Sequence, residues 1–169
     1  MASAAYGMAA NVDLFLKVDG IEGESPDQSH KNEIQLLSYS FGATQPGSAG
    51  LGGGAGVGKV QLHDFHFTKH TDKASPKLFA ACASGKHTPS VILTCRKAGG
   101  SQQEYMKVTF SEVIISSHSI SQDTGSTLPV ENYTMNFTKI EFEYKPQDEK
   151  GNLGGVVKAS HDAAKNVTQ

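Results

Sequence analysis

Apolar and polar residues alternate along most of this chain, and the alternation shifts by one residue in several places. Val12, Leu14, Leu16 and Val18 share one phase and predict a first strand over 12–18. Further strands are predicted over 34–41, 60–68, 91–96, 105–116 and 133–144. In the second, the apolar phase moves from Ile34 and Leu36 to Leu37, Tyr39 and Phe41. In the third it moves from Val60 and Leu62 to Phe65 and Phe67. The fifth shifts between Phe110 and Val113, and the last between Phe137 and Ile140. A one-residue shift carries the side chains to the opposite face. Either a bulge restores the facing and bends the strand, or the strand leaves one sheet's core and enters another. Both readings point to a closed barrel or to two sheets sharing strands.

One segment breaks the strand pattern. Ser75-Pro76-Lys77-Leu78-Phe79-Ala80-Ala81-Cys82-Ala83-Ser84-Gly85 predicts a short helix over 76–84. Ser75 is a candidate cap for the first free N–H groups, and Pro76 suits the first helical position. Gly85 suits the left-handed residue that ends a helix. Leu78, Phe79 and Cys82 form a narrow apolar stripe. A helix of this length is not stable alone in water and must dock on the strands. A second short helix is expected near 159–165, in a tail over 156–169 that otherwise reads as polar.

Composition narrows the class. At 169 residues the chain can bury a real core as one domain. The formal net charge of -2, with acids and lysines interspersed, gives no nucleic-acid footprint. The longest apolar run is too short to span a bilayer, so no membrane insertion is expected. Residues 1–30 lack a charged segment followed by an apolar core, so any export would use a route that does not read a Sec-type signal. Residues 1–7 are small and unpatterned, and are expected to lie outside the fold as a leader or cloning remnant. Cys82 and Cys95 are too few for a disulfide framework and read as reduced thiols, though one bridge is conceivable. The sequons at Asn132, Asn136 and Asn166 read as chance occurrences without an export signal of that kind.

Candidate chemistry is sparse. Residues 42–58 form a Gly/Ser/Ala-rich loop in which Gly53-Gly54-Ala55-Gly56-Val57-Gly58-Lys59 fits the spacing of a phosphate-binding loop. Val60 follows where a hydroxyl would hold magnesium, and the loop feeds a strand rather than a helix N-terminus. Nucleotide binding is therefore the remote alternative, and the favoured reading is a loop whose Leu51 and Val57 offer apolar handles to a partner. Leu51, Val57 and Lys59 are the candidate subunit contacts. His63, Asp64, His66 and His70 resemble metal-ligand material, but His63 and His66 would point to opposite faces of a strand. They read as ordinary surface residues. Glu141 and Glu143 could mimic a hydrolase pair, yet they fit a solvated strand face better. No nucleophile elbow or CxxC is present. No catalytic residue, metal or cofactor is expected.

Three stretches carry a resemblance. They are Phe15-Leu16-Lys17-Val18-Asp19-Gly20-Ile21-Glu22-Gly23-Glu24-Ser25, the run from Asp64 to Leu78, and Lys139-Ile140-Glu141-Phe142-Glu143-Tyr144. In this order they resemble the haemolysin-coregulated protein (Hcp) family of type VI secretion, over about residues 8–155. The resemblance implies a mainly β fold: a small single-domain barrel of two sheets with one flanking helix, assembling as a hexameric ring. It implies self-association into stacked rings that form the inner tube of a contractile injection machine. A spike protein at the tip, a sheath around the tube and effector proteins in the lumen are the implied partners. Release from the bacterial cytoplasm to the medium or a target cell would need no signal peptide. Residues 46–58 are longer and richer in glycine than the resemblance leads one to expect, in a region the family uses for contacts between subunits or rings. A stand-alone effector chaperone, sharing the ring but not the tube, is the alternative from another functional class.

Overall fold

The computed structural model describes residues 12–47, 59–97 and 102–169. The first strand, β1 (Val12–Val18), pairs along its whole length with β7 (His87–Lys97), which in turn pairs with β8 (Glu104–Ser121). The eighteen residues of β8 organise the sheet. Its first half pairs with β10 (Lys139–Tyr144), and its second half with β9 (Val130–Asn136). From β10 the sheet continues to β11 (Val157–Asp162) and β12 (Val167–Thr168). From β9 it continues to β6 (Phe65–His70) and β3 (Ser38–Ser40). The short strand β2 (Ile34–Gln35) lies on β1. A separate two-stranded ladder joins β4 (Ala43–Thr44) to β5 (Gln61–Leu62).

The phase shifts have two physical origins. Residues 133–144 divide at Phe137–Thr138 into β9 and β10, which share β8 but continue into different neighbours, β6 and β11. Residues 34–41 divide likewise: β2 lies on β1 and β3 on β6. In β8, by contrast, the phase changes within one strand. Glu112 sits at φ 53, and the register slips again between Ile115 and Ser117. Each irregularity turns the next apolar residue back toward the core.

The sheet curls but is not the closed barrel expected. Its two arms approach through β2 and β3, which are consecutive pieces of one run and cannot pair with each other. Single backbone bonds hold the junction: Leu36 N–H donates to the Leu14 carbonyl and Leu37 N–H to the Thr68 carbonyl. Inside the curl lies an aromatic core. Phe65 meets Phe110 at 4.6 Å between ring centroids, Phe110 meets Phe137 at 4.8 Å, and Phe67 stacks on Tyr133 at 5.0 Å.

The helix, α1 (Ser75–Ser84), begins one residue earlier than predicted. Leu78 and Ala81 are buried, and the helix packs on β8. Burying Leu78 alone contributes about 1.5–3 kcal/mol. Gly85 takes φ 64 and ends the helix, with Lys86 N–H donating to the Ala81 carbonyl. The start is capped differently from expectation. Ser75 lies inside the first turn rather than before it, and makes no side-chain cap. The Asp72 carboxylate accepts the Ala74 N–H at 2.9 Å, while the Ser75 hydroxyl accepts the Asp72 N–H at 3.0 Å. Pro76, also in the first turn, needs no N–H partner there. The tail expected to hold a short helix instead contributes β11 and β12, because Tyr144 to Lys139 offer a free edge to pair with.

Candidate functional site

The strongest local chemistry is a buried polar cluster beneath α1. Lys69 continues the inward phase of Phe65 and Phe67, so the strand delivers its ammonium to the core side of β6. Its Nζ lies 2.8 Å from Glu131 Oε2, 2.9 Å from Asp72 Oδ1, 2.8 Å from Ser75 Oγ and 2.8 Å from the His70 carbonyl. Glu131, on β9 beside it, also accepts from Ser75 Oγ at 2.5 Å, from Tyr133 Oη at 3.2 Å and from His118 Nε2 at 3.1 Å. Burial alone would raise the Glu131 pKa, but donation from Lys69 and Ser75 outweighs it and holds the carboxyl below its usual range. Burial, reinforced by the Glu131 charge, pushes the Tyr133 phenol well up. Every ion here has a counter-ion, so the cluster fixes α1, β6 and β9 relative to one another.

A second cluster pins residues 20–33 to the opposite face of β1. Arg96 donates to Asp13 and Asp27, with Nη2 at 2.8 Å and 2.6 Å from their carboxylates, and its guanidinium lies 4.9 Å from the Phe15 ring. His30 stacks on the same ring at 4.2 Å, with Nδ1 2.9 Å from Glu33 and Nε2 3.1 Å from Glu104. The Arg96 guanidinium lowers the Asp27 pKa to about 2.

The residues singled out from sequence are dispersed. Leu51 and Val57, with the phosphate-loop-like glycines, lie outside the described residues. Lys59 is exposed, two residues before β5. His63 meets Thr44 at 2.7 Å, whereas Asp64 meets Ser116 at 2.6 Å and Asn136 at 3.2 Å. Among the described residues no three His, Cys, Asp or Glu side chains are grouped to hold a metal ion. Cys82 and Cys95 are free thiols. No helix among the described residues is long and apolar enough to cross a membrane.

What remains is surface. The outward side of β3, β6, β9 and the second half of β8 carries Ser38, Ser40, His66, Thr68, Asn132, Thr134, Ser117 and Ser119. These line a shallow concavity of 310 Å³. Hydroxyls pair across the strands, Ser38 with Thr68 and Ser117 with Thr134, each at 2.6 Å. None of these eight side chains is a carboxylate, lysine, arginine or large apolar group.

A curled β-sheet pinned by internal ion clusters, with a hydroxyl-lined outer face, defines a small β scaffold. The family model described as "Type VI secretion system effector, Hcp" matches residues 15–144, and the chain belongs to that family of secreted type VI secretion proteins. It is 45% identical to protein hcp1 of Pseudomonas aeruginosa over 158 residues, covering 92% of this chain and 98% of that one. A solved type six secretion system protein superposes with a TM-score of 0.88 at 29% identity, over 94% of this chain and 100% of the other. Hcp1 from Salmonella typhimurium superposes with a TM-score of 0.77 at 35% identity, over 95% and 100%.

Proposed function

We propose that this chain is the structural subunit of a type VI secretion inner tube. Six copies form a ring, rings stack, and effector proteins travel in the lumen. The tube ends at a spike protein and is driven by a contractile sheath, and the chain leaves the cell with it, without a signal peptide. The observation that carries this reading is the hydroxyl and amide face of β3, β6, β9 and β8. A lumen that passes varied cargo must stay wet without gripping it. Uncharged hydroxyls bond water readily and offer neither apolar area nor fixed charge. We assign this face to the channel.

The test is export from cells lacking the native gene. The wild-type chain restores both sheath contraction and effector export. Thr134→Arg, which adds a cation to the channel face at each subunit, restores contraction but lowers export at least tenfold. Equal export by both chains would remove this face from the channel. Contraction in the absence of any such chain would remove the tube role.

A further inference from the structure

Residues 20–33 join β1 to β2 without a strand or helix of their own. Their backbone closes on itself. Gly23 N–H donates to the Asn32 carbonyl at 2.8 Å, Asn32 N–H to the Ser25 carbonyl at 2.9 Å, and Ser25 N–H to the Glu33 carbonyl at 3.0 Å. Side chains then fasten this loop to three places. Asp27 accepts from Arg96 on β7. His30 reaches Glu104 at the start of β8. Glu24 accepts the Lys73 N–H at 3.1 Å, and Glu22 the Lys73 ammonium at 3.3 Å, at the approach to α1.

The His30 contact differs from the others in its proton count. The side chain is 7% exposed and lies flat on Phe15, with ring centroids 4.2 Å apart and planes 10° from parallel. Nδ1 is 2.9 Å from Glu33 Oε2, and Nε2 is 3.1 Å from Glu104 Oε1. An ionised carboxylate only accepts, whereas a neutral imidazole donates from one nitrogen and presents a lone pair on the other. With a neutral ring, one of the two glutamates would face that lone pair at hydrogen-bond distance. Both contacts are hydrogen bonds only when the site holds one further proton. Glutamate and histidine ordinarily titrate near about 4.3 and about 6.5, so the ring takes it.

The surroundings favour the same state. The charged groups about the ring are Asp27 and Glu33 on its own segment, Asp13 on β1, Arg96 on β7 and Glu104 on β8. Lys31, next in sequence, is exposed. Four carboxylates thus surround one guanidinium, and an imidazolium supplies the second cation. The face of Phe15 against the ring adds a cation–π attraction.

We propose that residues 20–33 form a pH-sensitive clasp, closed while His30 is an imidazolium bridging Glu33 to Glu104 and loosened when the ring loses its proton. Closure binds the proton, so acid favours the closed clasp and rising pH opens it. The Asp27 carboxyl, held at about 2, stays ionised meanwhile, so its grip on Arg96 does not vary across the same range. Opening also draws Glu22 and Glu24 away from Lys73, which loosens the approach to α1.

The experiment is amide hydrogen exchange read by mass spectrometry on the full chain at one fixed concentration. Rates are taken at about pH 5.5 and about pH 8.5, either side of the ordinary histidine range, and divided by the intrinsic rate at each pH. Wild-type peptides covering residues 20–33 lose protection at least tenfold at the higher pH, while those from β7 and β8 keep theirs. Glu104→Gln supplies an amide that can donate to the open nitrogen of a neutral ring, so its residues 20–33 stay equally protected at both pH values. His30→Gln removes the titrating proton, and its protection likewise does not change with pH. Equal protection of wild-type residues 20–33 at both pH values would overturn the clasp, and this arm needs no variant to fold. A Glu104→Gln chain that loosens at high pH as the wild type does would overturn the two-carboxylate bridge as its cause.

Discussion

Replacing Lys69 with methionine isolates the buried cluster as the fastener of α1. The side chain is fully buried, and methionine keeps most of its volume while deleting an ammonium with four oxygen partners within 2.9 Å. Glu131 would then stand at 1% exposure as a buried carboxylate with only neutral or histidine donors, and Asp72 would face it without a cation between them. Removing one partner of a buried pair costs about 3–5 kcal/mol, chiefly because the other charge is left uncompensated. For a chain of this size that corresponds to a melting temperature lower by about 6–20 °C. Urea unfolding reads the loss, at one fixed protein concentration because association raises apparent stability. Glu131→Gln in the Lys69→Met background should cost less than the two single changes summed, by about 0.5–3 kcal/mol. A loss below about 1 kcal/mol for Lys69→Met would refute the cluster's role.

Acid stability should depend on Asp27. Its carboxyl titrates at about 2 in the folded chain against 3.8 ordinarily, so the stability it contributes is complete above pH 4 and fades as pH falls toward 2. Asp27→Asn should flatten unfolding free energy against pH in that window, and an unchanged slope would contradict the Arg96 pairing. Gly23→Ala should destabilise by about 1–3 kcal/mol, since a Cβ there would sit 2.5 Å from the Glu33 carbonyl and 2.7 Å from Ile34 Cα. Wild-type stability would mean that residues 20–33 lie further from β2. Thiol labelling of the native protein should modify Cys82 before Cys95, whose thiol is fully buried and pushed up in pKa by that burial. Failure to titrate two thiols after denaturation would indicate a bridge.

Much of the fold was legible in local pattern. The phase shifts in residues 34–41 and 133–144 announced strands shared between neighbours, and Gly85 announced the helix end. Pairing partners carried no such signal. Lys69 lies in phase with Phe65 and Phe67, and Glu131 in phase with Tyr133 and Met135. Each charge thus stood on a core face in the sequence, but their partnership across 62 residues needed the β6–β9 register. Ser75 was misread for the same reason: its role is set by Glu131, not by the local helix start. The short helix expected near 159–165 is strand instead, because β10 gives Val157–Asp162 a pairing partner that the local pattern does not show. Phe142 and Tyr144 read as core residues from their phase. In the fold both are exposed, by 37% and 43%.

Negative-stain electron microscopy of the purified chain tests its assembly most directly. We expect annular particles with six-fold symmetry and an open centre, with a solution mass six times that of the chain. Compact particles without a central opening, at the mass of a single chain, would contradict it.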